Sequence, residues 1–271
     1  MKIAFATCVQ LGRSCIEEAL RLGGHFELFI TLKDDQARQK SGRIYLDDLA
    51  EKENTPLLKI RHINNPEVLE ALRKYEIDWL FIIGWSQIAG EELLNTPTRG
   101  CIGMHPTLLP MGRGRAAIPW AILKGLTETG VTMFKLDTGV DTGDIIAQGH
   151  IPMDSSMTAT ELYERVDRMH VELMGRYWND IVSDKVVLTK QDHSKATEWP
   201  GRKPEDGEIT PDMTMEQADR MVRAVTHPYP GAFYREGNKT LRIWSATVSR
   251  EAGRIALKDG FLEPIVFESE E

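Results

Sequence analysis

Five consecutive large apolar residues, Trp79-Leu80-Phe81-Ile82-Ile83, stand between Asp78 and Gly84 and constrain this chain more than any other feature. A strand with one face in water alternates polar and apolar residues. A strand with no polar position is buried on both faces, the situation inside a parallel sheet covered by helices. The neighbouring segments agree. Ile3-Ala4-Phe5-Ala6 reads as a short strand leading through a loop into a helix that carries Ile16, Ala19 and Leu20. Residues 26–31 and 57–60 read as further strands, and residues 45–52 and the stretch from Asn65-Pro66 as helices. Strands alternating with helices at this pitch predict an α/β fold, an open and mostly parallel sheet flanked by helices.

Farther along, Cys101-Ile102-Gly103-Met104-His105 is another short strand, residues 116–125 a helix, and residues 131–136 a strand whose exit turn holds Asp137, Asp141 and Asp144. A long amphipathic helix runs to about Trp178, with Leu162, Val166, Met169 and Leu173 on one face. Residues 199–207 are polar and turn-rich, the composition of a linker. Beyond them, a short helix over 215–225 and alternating segments at 241–244 and 254–262 predict a small β module. The expected division is a domain over 1–198 and a linker with a small C-terminal β-rich module over 199–271, which offers a surface for a homodimer.

Charge and composition narrow the function. The 271 residues carry 33 Lys and Arg against 41 Asp and Glu, a net charge of -8, which opposes nucleic acid as a main partner because that affinity comes from cations neutralising phosphates. Cys8, Cys15 and Cys101 form no CxxC pair and no zinc spacing, and read as small buried hydrophobes in a reducing compartment. No apolar run approaches the ~20 residues of a membrane span, and no basic leader precedes the first strand, so the expectation is a cytoplasmic protein without membrane or metal. Residues 7–13 lack GxGxxG spacing, which disfavours a nicotinamide enzyme, and the eleven methionines read as core filler.

Open α/β sheets hold ligands at the carboxyl ends of their strands. That edge receives Gly84-Trp85-Ser86-Gln87 and His105, the latter in His105-Pro106-Thr107-Leu108-Leu109-Pro110, where two prolines restrict the backbone around one imidazole. A lone histidine is more often structural than catalytic; a strand-end position beside an acidic turn moves the balance toward proton transfer at neutral pH. Asp137 and Asp144 can serve as turn caps, and Asp141, between Gly139 and Gly143, is the acid favoured as partner. Gly112-Arg113-Gly114-Arg115 is either a phosphate clamp or a pair of solvated arginines.

Together these residues resemble the folate-dependent formyltransferase family, methionyl-tRNA and sugar N-formyltransferases among them. The resemblance is carried by residues 105–110, Arg113-Gly114, Thr129-Gly130-Val131-Thr132 and Leu136-Asp137 through Val140-Asp141-Thr142-Gly143-Asp144-Ile145-Ile146. Residues 202–209, Arg223-Ala224 and Pro228-Tyr229-Pro230-Gly231-Ala232-Phe233 resemble the family's linker and C-terminal module. The resemblance implies 10-formyltetrahydrofolate as donor and an amine as acceptor. It implies that His105 stabilises an oxyanion on the formyl group and that Asp141 orients the imidazole and helps move protons. Trp85, Gln87, Ile88, Ala89, Leu109, Asp137 and Val140 fall where the family borders the folate, and Thr107, Arg113 and Arg115 where it meets the acceptor.

One position departs from the family pattern. Asparagine is usual two residues before the histidine, as a donor to the formyl oxygen, and this chain has Gly103. Loss of one such donor typically costs about 10²–10³ in kcat. Gln87, a backbone N–H or a water could replace it; the alternatives are weak activity, a formyl-folate hydrolase, or a non-catalytic folate- or nucleotide-binding relative. For the acceptor, residues 200–271 hold ten Lys and Arg against thirteen Asp and Glu, unlike the basic barrel expected of a tRNA formyltransferase. Residues 112–120 and 202–207 look closest to enzymes acting on nucleotide-linked amino sugars, so the expected acceptor is the primary amine of a sugar nucleotide.

Overall fold

The computed structural model describes residues 1–36 and 42–270. In chain order the elements are β1 (Ile3–Ala6), α1 (Gln10–Arg21), β2 (Leu28–Leu32), α2 (Asp47–Lys52), β3 (Leu57–Ile60), α3 (Pro66–Lys74), β4 (Trp79–Ile83), α4 (Glu91–Asn95) and β5 (Gly100–His105). They continue as β6 (Arg113–Gly114), α5 (Ala117–Leu123), β7 (Glu128–Lys135), β8 (Ile145–Pro152), α6 (Ala159–Val182), β9 (Glu198–Trp199), α7 (Met215–Val225), β10 (Ala232–Glu236), β11 (Lys239–Ser249), β12 (Ile255–Ala256) and β13 (Phe261–Glu270).

The apolar run of residues 79–83 is β4, buried at all five positions in the middle of a seven-stranded sheet of order β3-β2-β1-β4-β5-β7-β8. Pairings from β3 to β5 are parallel, and β7 runs antiparallel to β5. Period-2 alternation sends the aromatic residues to one face. Phe5 and Phe81 stack with centroids 5.4 Å apart, and Trp178 of α6 packs on Phe81 at 6.2 Å and on Phe26 at 5.6 Å. The other face carries Ala4, Ala6, Leu80 and Ile82 in one cluster with Val68, Leu69 and Leu72 of α3. Burial also pushes the Cys101 thiol up to about 12, and all three cysteines are buried and free.

The chain builds outward from β1 through β2 to β3 and then returns to the other side of β1 as β4, so the strand order reverses between β1 and β4. The loops leaving these two strands diverge there, the usual origin of a ligand crevice. They also touch. Gly84 has φ +65°, and a Cβ on it would lie 2.1 Å from Val9 Cγ2, so only glycine fits.

Two compact units divide the chain: residues 1–113, 130–151 and 166–198 in one, and residues 114–129, 152–165 and 199–271 in the other. Residues 114–129 and 152–165 thus cluster with the C-terminal part rather than with their neighbours in sequence. Hydrogen bonds explain the difference: Arg223 Nη1 donates to Met157 O at 2.9 Å, and Thr160 Oγ1 to His227 O at 2.6 Å. The second unit contains the antiparallel sheet β10-β11-β13-β12 and α7, whose N-terminus is closed by a capping box of Thr214 and Gln217. Strands β8 and β10, helix α4 and the extension of β13 to Glu270 were not legible as elements from residue pattern. No described helix is long and apolar enough to cross a membrane.

Phe81→Ala removes the ring that joins Phe5 to Trp178. It is expected to destabilise the protein by about 3–5 kcal/mol, read from urea unfolding monitored by tryptophan fluorescence.

Candidate active site

His105 ends β5, and the proline-rich segment after it turns at once, with Thr107 N–H on His105 O at 2.9 Å. Pro106 and Pro110 supply no N–H, so the segment is fastened by side chains. Thr132, paired with His105 across β5 and β7, is the hub. Its buried hydroxyl donates to Thr107 O at 2.7 Å and accepts from Leu109 N at 3.0 Å and Gln148 Nε2 at 2.9 Å. Gln148 Nε2 also donates to Leu109 O at 2.8 Å.

The imidazole of His105 is buried, with Nε2 2.7 Å from Gly112 O. A carbonyl only accepts, so Nε2 carries the hydrogen and Nδ1 faces Asp141, whose Oδ2 lies 3.6 Å away. That separation is too long for a direct hydrogen bond, yet both atoms can reach a third one about 3 Å from each. Asp141 has φ +53°, a left-handed backbone that costs a non-glycine residue on the order of 1–3 kcal/mol and persists only where surroundings enforce it. Gln191 enforces it, donating from Nε2 to Asp141 O at 2.9 Å and to Gly143 O at 2.7 Å. At Gly143 a Cβ would lie 1.8 Å from Lys135 O.

Helix α6 adds a second imidazole. His170 is fully buried, with Nδ1 on Val166 O at 2.8 Å; burial, reinforced by the charge of His105, lowers its pKa to about 4. It is therefore neutral at pH 7.

The loop over residues 84–90 is strapped to the chain after β3. Asn64 accepts Gly90 N at 2.8 Å and donates to Ile88 O at 2.9 Å. Gln87 Oε1 accepts from Ile63 N at 2.9 Å and Trp85 Nε1 at 3.2 Å, and its Nε2 donates to Arg61 O at 2.9 Å.

Of the residues singled out from sequence, His105 and Asp141 are brought together. Ile88 and Val140 are apolar and uncovered, 70% and 53% exposed, while Trp85 and Ala89 are half-buried. Several others are already engaged within the fold. Gln87 holds the loop and is not a ready replacement for the asparagine donor. Leu109 is buried and both its backbone polar groups are bonded; Asp137 Oδ1 caps its own turn on Gly139 N at 3.1 Å and Thr142 Oγ1 at 2.6 Å. Thr107 is buried to 2% exposure with its carbonyl bonded to Thr132, though its Oγ1 has no hydrogen-bond partner among the described residues. Arg113 is buried too, its Nη2 donating to Gln191 Oε1 at 2.6 Å and His193 Nδ1 at 3.0 Å, so it is neither a solvated arginine nor an open phosphate fork. Arg115 belongs to the second unit. Thr132, Gln148, Asn64 and Gln191 were missed; only Thr132, a polar residue inside the apolar run of residues 131–134, left a signal.

Gly103 is not simply vacant of a side chain. A Cβ there would lie 2.7 Å from Leu136 Cδ2, so leucine fills the space an asparagine would enter.

Comparison with known proteins follows the same lines. The model of the formyl transferase family matches residues 7–177, and that of the formyl transferase C-terminal domain matches residues 202–261. A methionyl-tRNA formyltransferase of Geobacter sulfurreducens is 34% identical over 207 residues, covering 76% of this chain and 64% of that protein, just under two-thirds of its length. Two solved structures share the fold. Methionyl-tRNA formyltransferase from Clostridium thermocellum has TM-score 0.67 at 20% identity, over 100% of this chain and 98% of its own. The N-formyltransferase from Helicobacter canadensis, in complex with folinic acid and dTDP-3-aminofucose, has TM-score 0.69 at 18% identity, over 97% of each chain.

Gly103→Asn is expected to lower stability by about 1–3 kcal/mol through overpacking against Leu136, and Gly103→Asn with Leu136→Ala to recover most of it in thermal melts. For His170 the folded pKa lies below the unfolded one, so its contribution is present above pH 6.5 and is lost as pH falls from 6.5 toward about 4. His170→Gln should flatten this part of the stability profile in urea titrations; identical slopes would show that His170 does not titrate on unfolding.

Proposed function

The chain belongs to the formyl transferase family, and on that premise we propose that it transfers a formyl group from 10-formyltetrahydrofolate to the primary amine of a nucleotide-linked amino sugar. The observation that carries formyl transfer is the His105 and Asp141 pair, two proton carriers 3.6 Å apart at a strand end beside the sheet's switch point. The folate, when bound, supplies a formyl carbon on nitrogen that an amine can attack. Exposed Ile88 and Val140, on two loops of the same unit, are apolar surface of the kind a pterin ring would cover.

The residues then divide the proton work. Transfer forms a bond from the acceptor nitrogen to the formyl carbon, breaks the bond from that carbon to the folate nitrogen, and moves one proton from the first nitrogen to the second. Asp141 takes the proton as the amine attacks, and His105 Nδ1, within reach of the same atom, passes it on. Gly112 O keeps the ring from turning while this happens. The site has no asparagine donor beside the histidine, and the His105 Nε2 hydrogen is already given to Gly112 O, so the formyl oxygen is left to Nδ1 while it carries the relayed proton and to backbone N–H groups.

For the acceptor, charge is the discriminating property. Residues 200–271 carry a net charge of -3. Within them Arg220, Arg223, Arg235, Arg242 and Arg254 are paired with Glu216, Asp219, Glu208, Glu270 and Glu236. Such a module is a poor polyanion surface. Methionyl-tRNA remains the second reading, because the 34%-identical relative bears that name.

Incubation with 10-formyltetrahydrofolate and a panel of nucleotide-linked amino sugars should give a product heavier by one formyl group in mass spectra. Formylation of methionyl-tRNA alone would overturn the acceptor, and formate release without an amine would make the protein a hydrolase. His105→Ala and Asp141→Asn should each lower kcat by about 10²–10⁴ while leaving the melting temperature nearly unchanged.

A further inference from the structure

Gln191 lies between the two stretches that match the family models, residues 7–177 and 202–261. It is 5% exposed, and one side-chain amide joins two segments that both bear on the imidazole. Its Nε2 holds the carbonyls of Asp141 and Gly143 at 2.9 and 2.7 Å, and its Oε1 accepts from Arg113 Nη2 at 2.6 Å. Arg113 directly follows Gly112, whose carbonyl anchors His105 Nε2 at 2.7 Å, and Asp141 faces His105 Nδ1 at 3.6 Å. The contacts form a closed ring: His105, Gly112, Arg113, Gln191, Asp141 and back to His105.

We infer that Gln191 is a positioning residue for the His105 and Asp141 pair, setting the gap between Nδ1 and the carboxylate by fixing both flanking segments with one buried amide. This rests on the reading of those two residues as the reacting pair. The chemistry is selective for an amide. Two carbonyls require a nitrogen with two hydrogens, and a guanidinium requires an oxygen on the same group. Glutamate offers no donor, lysine and arginine offer no acceptor, and asparagine is one methylene short.

The test compares wild type with Gln191→Met, a flexible apolar near-isostere, and with Gln191→Glu, which keeps the acceptor for Arg113 but turns an oxygen toward the two carbonyls. The His105 ring nitrogens are followed by NMR in 15N-histidine-labelled protein, assigned by the signals lost in His105→Ala. Groups acting on that titration are Asp141 from the acidic turn, His170 from α6 and, through Gln191, Arg113. The expected result is a His105 midpoint shifted by about half a pH unit or more in both variants. In the same variants kcat for formyl transfer should fall at least tenfold with KM for both substrates within twofold, and Gln191→Glu should do no better than Gln191→Met. An unmoved His105 titration, or wild-type kcat in Gln191→Glu, would overturn the inference. If Gln191→Met does not fold, Gln191→Asn replaces it, with the same titration shift expected because the shortened amide cannot span both segments. Wild type that formylates no amine defeats the proposed function instead, and the NMR comparison still decides the role of Gln191.

Discussion

The site depends on the antiparallel entry of β7 beside β5. Parallel neighbours would deliver both strand ends to one edge without further help, but β7 pairs Lys135 with Ile102 and Thr132 with His105, so its exit turn leaves at the far end of β5. The turn must come back by three residue levels, ~10 Å at strand spacing. Its return limb from Asp141 to Asp144 is also three residues and spans at most ~10 Å. Asp141 takes a left-handed backbone within that limb, held by the Gln191 amide. A one-residue slip of β7 would turn Thr132 to the other face of the sheet and release residues 107–109.

Most polar groups in this region end on backbone rather than on one another, while the buried Thr107 Oγ1 and Arg113 Nε have no hydrogen-bond partner among the described residues. The Thr132 hydroxyl, the Gln148, Gln191, Gln87 and Asn64 amides, and His105 Nε2 all end on main-chain carbonyls or N–H groups of loops. Side-chain amides suit this work because they both donate and accept without carrying charge into a buried place, where an unpaired charge would cost several kcal/mol. The result is a set of loops tied down by directed bonds, with His105 and Asp141 holding titratable groups toward a shared point.

How legible all this was from residues follows from which signals are local. Residues 79–83 announce a doubly buried strand because burial on both faces leaves no polar position, and the helix read over residues 215–225 is present, with Thr214 and Gln217 as its cap. His105 and Asp141 were legible as a pair through residue types and family resemblance. Gln191 was not: its partners lie 48 to 78 residues away, and nothing in its own neighbourhood requires an amide. The place of Arg113 in the frame was not legible for the same reason. Glycine on either side suggests an open loop, whereas burial and a glutamine from beyond α6 make it part of the frame. The division into units was hidden too, since residues 114–129 and 152–165 join the C-terminal part through bonds that chain order does not suggest.

Fold alone does not choose the acceptor. A methionyl-tRNA formyltransferase and an N-formyltransferase crystallised with a nucleotide sugar fit this chain almost equally well, at TM-scores of 0.67 and 0.69. What separates the two acceptors is the number of phosphates to be met. A tRNA presents many, and its affinity depends on releasing counterions with many unpaired cations; a nucleotide sugar presents two and can be held by a few directed bonds. The pairs made by Arg235, Arg242 and Arg254 are exposed and individually weak, on the order of 0.2–1 kcal/mol, so a phosphate could displace any one carboxylate. It could not remove that carboxylate's charge from the surface. A polyanion docking on this module would therefore meet the repulsion of thirteen acidic groups while gaining from ten cations, the charge argument on which the proposed acceptor rests.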